Sequence, residues 1–594
     1  MGLLQQAMKT YDSMSRIVGV TGGDGKEPLA PVGHITTKPQ IRITIDADGT
    51  FLQAEAIDEL KVIIPVTEQS AGRTSGICPH PICDQVGYIT DSNQKKHSEY
   101  LQQLEGWACS DYSHPKVKAV FSYLGRNTVT TDLEKAGLLK IDEKGSVSNE
   151  KDLIVWWVTG LGEESGPIYT DQAVFRSWEE YYIHDLDQDG NVDFCYLTGE
   201  YLEKAKQHMK GVVSLNGNSK IISANDHVNF TYRGRFEKSD QAVSVSYIAS
   251  QKAHNALKWV VANYGIPIGS RLFVAWNPEG HKVPSIINPM LPKQEERVDP
   301  KGYRKELGDA VKGYLYHFPE TEKIVIAGFD AATSGRLAVT YYNELLRSDF
   351  LKRMMDWDNS CCWIDVKYGV HSPLLKDIVR FAYGTMRGEK DDQKFDVDER
   401  VMPEQMQRLI HCRIDRAGFP EDLMRAMVRR AGNLKLLSKK NRSRVVFAAC
   451  AAIRKYHWDH NKEEWEMALN PKCQDRSYQF GRLLAIMEGI ERSALHGTDD
   501  RETNAIRLQQ VFVQRPGYAA ATIMEKLKTA YYPRLNPGLR VYYERLVGEV
   551  MEMLSAFPQE DYNKPLEETY LMGYYLQKNE FYTKKSEDEE EEAE

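Results

Sequence analysis

Three stretches of the 594-residue sequence hold side chains whose types and spacing could do chemistry. The run HDLDQDGNVDF at 184–194 puts Asp185, Asp187, Asp189 and Gly190 where the first half of a calcium loop has its ligands and its turn glycine. The twelfth position of that loop is Tyr196, which cannot supply the bidentate carboxylate. The pair His184-Asp185 also suits a metal phosphohydrolase, so a metal-dependent nuclease using His184, Asp185, Asp187 and Asp189 is one alternative function. A polar turn, which Asp, Asn and Gly favour, explains the run without metal. CPHPIC at 78–83, with His97, Cys109 and His114, holds zinc-ligand types at non-zinc spacing, and ordinary buried cysteines account for it better.

The third stretch is basic. Residues 408–456 hold thirteen Lys or Arg against three acids. Arg425, Arg429 and Arg430 fall on one expected helix, Lys439, Lys440, Arg442 and Arg444 follow, and Arg454 and Lys455 close the next helix. Solubility alone favours interspersed signs, so this run is expected to be a face that binds phosphates with little regard to sequence, as in holding a single strand. FTYRGRF at 230–236 interleaves aromatic rings, which stack on bases, with arginines, which bind phosphate, and an exposed edge strand explains it about as well; a general RNA-binding scaffold that never reads duplex DNA is the other alternative function.

These groups need a scaffold. The length suggests several domain-sized units, and the 42% hydrophobic and 27% charged composition is ordinary globular chemistry. The acidic tail at 586–594 reads as disordered, and removing its seven carboxylates takes the net charge from −9 to −2. No apolar run reaches a bilayer span, the N-terminus does not read as a secretory signal, and nine scattered cysteines fit a reducing cytoplasm. No metal and no cofactor is expected.

The pattern predicts an α+β fold, a mixed α/β N-terminal region followed by an all-α helical bundle. QIRITIDADGTFLQAEAI alternates around Asp48-Gly49 as a hairpin does. IVWWVTG and RLFVAWN read as buried strands, and 324–342 as two strands about a small-residue turn. A helix is expected over about 240–262, capped by Ser239 or Asp240. Phe480, Leu483, Leu484, Met487 and Ile490 form a helical stripe. The expected division is 1–240, 241–395, 396–585 and the tail 586–594.

Several stretches together resemble one family. R-T-S-G-I at Arg73–Ile77, Y-L-T-G-E at Tyr196–Glu200, K-G-V at Lys210–Val212 and D-A-A-T-S-G-R-L-A-V-T-Y-Y at Asp330–Tyr342 occur in order. V-R-R-A, I-R-K-Y, D-R-S-Y-Q-F-G-R-L-L-A-I at Asp475–Ile486, R-E-T-N-A-I-R, Q-R-P and G-Y-Y at Gly573–Tyr575 continue the series. On these residues the chain resembles the large subunit of the type I-C CRISPR Cascade, a guide-RNA surveillance complex.

The resemblance implies a binding subunit, not an enzyme. Such a subunit sits at the guide's 5′ end beside the backbone subunits and the guide 5′-end subunit. It recognises the protospacer-adjacent motif in double-stranded target DNA and promotes duplex opening and R-loop formation. It also holds the displaced strand and helps recruit a separate helicase-nuclease. The residues suited to reading the motif are Arg73, Thr74, Ser75 and Gly76, with Asn216, Asn218 and Lys220, while Lys95 and Lys96 suit phosphate. The family also implies a small helical subunit made from an internal start, for which Met467 and Met487 are candidates.

Overall fold

In the computed structural model, the described residues are 2–591 except 22–25, 59–60, 74–75, 141–146, 189, 214, 216–217, 224–235, 237–238, 294–296, 317–320, 334, 390–391 and 496–500. The fold is α+β. The chain forms two compact units, one of residues 1–283 with 323–345 and one of 284–322 with 346–594.

The first unit is built on two four-stranded sheets. In one, β1 (Ile41–Ile45) pairs antiparallel with β2 (Phe51–Ala56) around the expected turn, where Gly49 takes φ +77°. After α2 (Gln94–Ala108) and α3 (Pro115–Leu124), the chain returns as β3 (Ile154–Val158), parallel to β1, and β4 (Gly166–Pro167) closes the order β2-β1-β3-β4. α4 (Gln172–Asp187) follows, then a hairpin of β5 (Val192–Phe194) and β6 (Tyr201–Glu203).

The helix expected from 240 begins later, as α5 (Tyr247–Tyr264), because the Ser246 hydroxyl accepts from the Ala249 N–H while 239–242 forms only a 3-10 turn. The second sheet has the order β10-β9-β8-β7, from β7 (Ile266–Ile268), β8 (Arg271–Trp276), β9 (Lys323–Thr333) and β10 (Arg336–Leu346). α1 (Leu3–Ser13) packs on α5, and Ile43, Trp156, Val274 and Phe329 share one core.

The second unit is helical apart from short hairpins. It contains α6 (Pro300–Tyr316), α7 (Arg347–Ser360), α8 (Leu375–Tyr383), the hairpin β11 (Thr385–Arg387) with β12 (Lys394–Asp396), and α9 (Val401–Asp415). α10 (Glu421–Ala431) packs on α11 (Lys439–His460). α12 (Arg476–Ala494) lies against α13 (Pro516–Ala530), α14 (Pro537–Ser555) and most extensively α15 (Tyr570–Glu591).

Two glycines permit that last approach: a Cβ on Gly481 would lie 1.9 Å from the Tyr570 carbonyl oxygen, and one on Gly573 2.1 Å from that of Tyr478. The stripe Phe480 to Ile490 is buried here. α15 runs on to Glu591, into the acidic segment that composition reads as unstructured, as an extension of its buried first turns. Among the described residues no helix is long and apolar enough to cross a membrane.

Candidate nucleic-acid interface

In the first unit, three motifs far apart in sequence meet. Lys210 and Lys220 pair as an antiparallel bridge, and the Gly211 N–H donates to the Ser219 carbonyl at 2.9 Å, so 211–219 is a loop closed at its base. Asn218 lies within that loop and is exposed, while Asn216 and Gly217 fall outside the described residues. Lys220 also docks on the β9–β10 turn, its N–H donating to Gly335 and its carbonyl accepting from Leu337. The Lys210 ammonium donates to the Arg73 carbonyl at 2.5 Å. Thus the R-T-S-G loop, the K-G-V segment and the 330–342 motif form one locus.

The Arg73 guanidinium does not reach outward as expected. It makes a bidentate pair with the fully buried Asp84, at 2.5 and 2.8 Å, and donates to the Cys78 carbonyl. It also lies 4.5 Å from the Tyr88 ring centre, and the Lys96 ammonium approaches the same ring at 5.5 Å. An arginine so engaged fixes the loop rather than entering a groove. Lys96 is 3.6 Å from Glu150, while Lys95 is exposed at the start of α2. Gly76 is exposed with φ +88°, a backbone only glycine adopts easily; Thr74 and Ser75 lie outside the described residues, as does FTYRGRF except Phe236.

The electrostatics of this locus are one-sided. Burial, then repulsion from Lys220 and Arg73, holds Lys210 below the usual lysine range, and burial does the same to Lys220. Three histidines border it. Burial is the main cause of the shift in each, taking His80 to about 4 and His208 to about 3, and it also lowers His254. Arg73 and Lys210 add to the effect at His80, and Lys220 at His208 and His254. A negative charge beside Lys210 would offset the repulsion from Lys220 and Arg73, the part of the shift that burial does not cause. Lys210 was not among the expected site residues; its signal in the sequence is that it and Lys220 bracket the Asn-Gly-Asn-Ser run.

The basic run of the second unit divides into two sets. Arg425, Arg429, Lys439, Lys440 and Arg444 are exposed. Arg425 pairs with Glu421 at 2.5 Å, and Arg444 lies 3.5 Å from Asp377. Arg430 is half-buried over the Phe395 ring and Arg444 lies over Phe381, two rings 5.2 Å apart.

Arg442, Arg454 and Lys455, expected on the same face, are instead interior. Arg442 donates to the Leu434 and Leu437 carbonyls and pairs with Glu502. Arg454 donates to the carbonyls of Trp465, Asn359 and Ser360, and Lys455 pairs with Asp459 at 2.7 Å. The reason is α11, whose alanine-rich centre is buried nearly all round and carries its flanking cations inward.

The other chemical runs disperse. His184, Asp185 and Asp187 lie exposed on the last turns of α4, not in a loop, and Asp189 is outside the described residues. His97 contacts the Tyr88 carbonyl, His114 caps α3, and Cys83 is buried. Among the described residues no three His, Cys, Asp or Glu side chains gather to hold a metal ion.

The described residues form an α+β protein that carries a cluster of cations in each of its two units. A family model described as CRISPR-associated protein (Cas_Csd1) matches residues 9–582, so the chain belongs to that family and is a CRISPR-associated protein of the Cascade type. No curated protein matches it.

Proposed function

We propose that the chain is the non-catalytic large subunit of a type I-C Cascade, and that it recognises the protospacer-adjacent motif in double-stranded DNA. The reading rests on the 211–219 segment, closed at its base by Lys210 and Lys220, two half-buried lysines held below their usual range, with Asn218 exposed between them. Lys210 and Lys220 would take phosphates, Asn216, Asn218 and the Gly76 loop would lie against a groove edge, and Arg73 would hold that loop in place. Protein contacts of this kind tip the nearly balanced RNA–DNA exchange toward R-loop formation. The exposed cations Arg425, Arg429, Lys439, Lys440 and Arg444 would hold the displaced strand. Guide RNA, backbone subunits, the guide 5′-end subunit and a helicase-nuclease are the partners this role requires.

A small subunit starting at Met467 would keep α12 to α15 whole, whereas a start at Met487 would cut α12 in half. Met467 is therefore the proposed start.

The test is duplex binding by the assembled complex carrying Lys210→Ala with Lys220→Ala. Affinity for motif-bearing duplex should fall roughly tenfold or more. Unchanged affinity across all motif variants would refute the assignment.

A further inference from the structure

The second unit holds a cavity of about 400 Å³, within the usual range for small-ligand sites. α11, α12 and α15 supply most of its wall. Among the described lining residues are the cations Lys439, Arg442, Arg492 and Lys578 and the carboxylate Glu488. Glu488 is fully buried and receives Lys578 at 3.1 Å, Arg492 at 2.9 Å and the Tyr574 hydroxyl at 2.5 Å. One carboxylate thus faces two cations, while Arg442 is matched by Glu502. Lys439 stands in the first turn of α11, where the helix dipole already favours an anion.

The remaining wall is mostly apolar and aromatic, with Ser443 and Asn579 as its neutral polar groups. Leu434, Val446 and Ile506 are buried and make the floor, and Tyr582 is exposed at the rim together with Lys439 and the partly exposed Arg492. A ligand matching this gradient carries an anionic group at one end and a flat, weakly polar body at the other.

We propose that this cavity binds a nucleoside monophosphate unit, its phosphate at Lys439 and Arg492 and its base on the floor beside Tyr574. The unit is either a free nucleotide or one nucleotide of a single strand. The inference is independent of duplex recognition by the first unit, because it is read on the isolated chain without a duplex.

The test titrates the full-length chain with AMP, adenosine, inorganic phosphate and a 20-nucleotide oligo-dT. AMP should bind saturably and roughly tenfold more tightly than adenosine or phosphate alone. Photolabelling with 8-azido-AMP should map to the peptide 570–582. Lys439→Glu with Arg492→Glu should abolish both signals with the far-UV circular dichroism unchanged, and Arg492→Lys should retain part of the binding. Competition between oligo-dT and AMP would identify the strand as the source, and independent binding of the two a free nucleotide. Absence of saturable AMP binding, labelling confined to other peptides, or full binding by the folded double variant would overturn the proposal.

Discussion

The first unit brings Lys210 and Lys220 beside Arg73, more than a hundred residues away in sequence; Asp84 matches Arg73, and the two lysines stay half-buried next to it. The second takes a dense basic run and turns part of it inward. Burial holds Lys210 and Lys220 below the usual lysine range, and at Lys210 the charges of Lys220 and Arg73 add to it. At Arg442, Arg454 and Lys455 the charge is matched by carbonyls and carboxylates. Half-buried cations that no carboxylate matches are available to a ligand, whereas cations with full hydrogen-bond sets are structural. Charge density along the chain therefore does not measure charge available at a surface.

The contrast can be broken from either side. The largest effect is expected for Arg454→Ala, which leaves three buried carbonyls without their donor and should lower the stability of the second unit by about 3 kcal/mol. The folded fraction should bind nucleic acid as before; a selective loss of affinity with no loss of stability in denaturant would reverse its role. The opposite outcome is expected for Lys210→Ala with Lys220→Ala, where thermal melting should stay level or rise because desolvated positive charge is removed. A marked fall in melting temperature would mean that these lysines hold the fold together.

Mild acid should also separate the units. In the first, burial lowers His34 and His80 to about 4 and His208 to about 3, and lowers His114 and His254 too. An unfolded chain takes up protons below the ordinary value of about 6.5, and the native one does not, so stability falls as pH drops from there toward 4. In the second unit burial lowers His371, but at His457 burial is outweighed by Glu568 and Glu463, which raise it. That pair contributes stability below about 6.5 that is lost as pH rises through the raised value. Limited proteolysis at pH 5 should accordingly cut the first unit before the second, and equal or reversed susceptibility would contradict the assignment. The smallest effect is expected for Arg429→Ala with Lys440→Ala on the exposed set. It should reduce the salt slope of single-strand binding by roughly 1 to 2 without changing sequence preference. An unchanged slope would turn that face away from nucleic acid.

Much of the scaffold was legible because local rules settle it. Asp48-Gly49 dictated its hairpin, and the period of Phe480 to Ile490 dictated α12. The start of α5 was misplaced because Ser239 and Ser246 both make acceptable caps, and only tertiary packing chooses between them. The interior fate of Arg454 was invisible, since its acceptors at Asn359 and Ser360 lie about ninety residues away. The locus around Lys210 was hidden for the same reason. Four of the motifs that carried the family resemblance are places where distant segments touch. R-T-S-G meets K-G-V at Lys210, and across two helices Gly481 faces the Tyr570 backbone and Gly573 that of Tyr478.

The central claim is that the closed loop between Lys210 and Lys220 lies on the motif-bearing duplex. Photocrosslinking from a reactive base placed beside the motif, in the assembled complex on target DNA, tests it most directly. Labelled peptides should span Lys210–Lys220 and the neighbouring Gly76 loop. Crosslinks that avoid both while the complex remains bound to its target would contradict it.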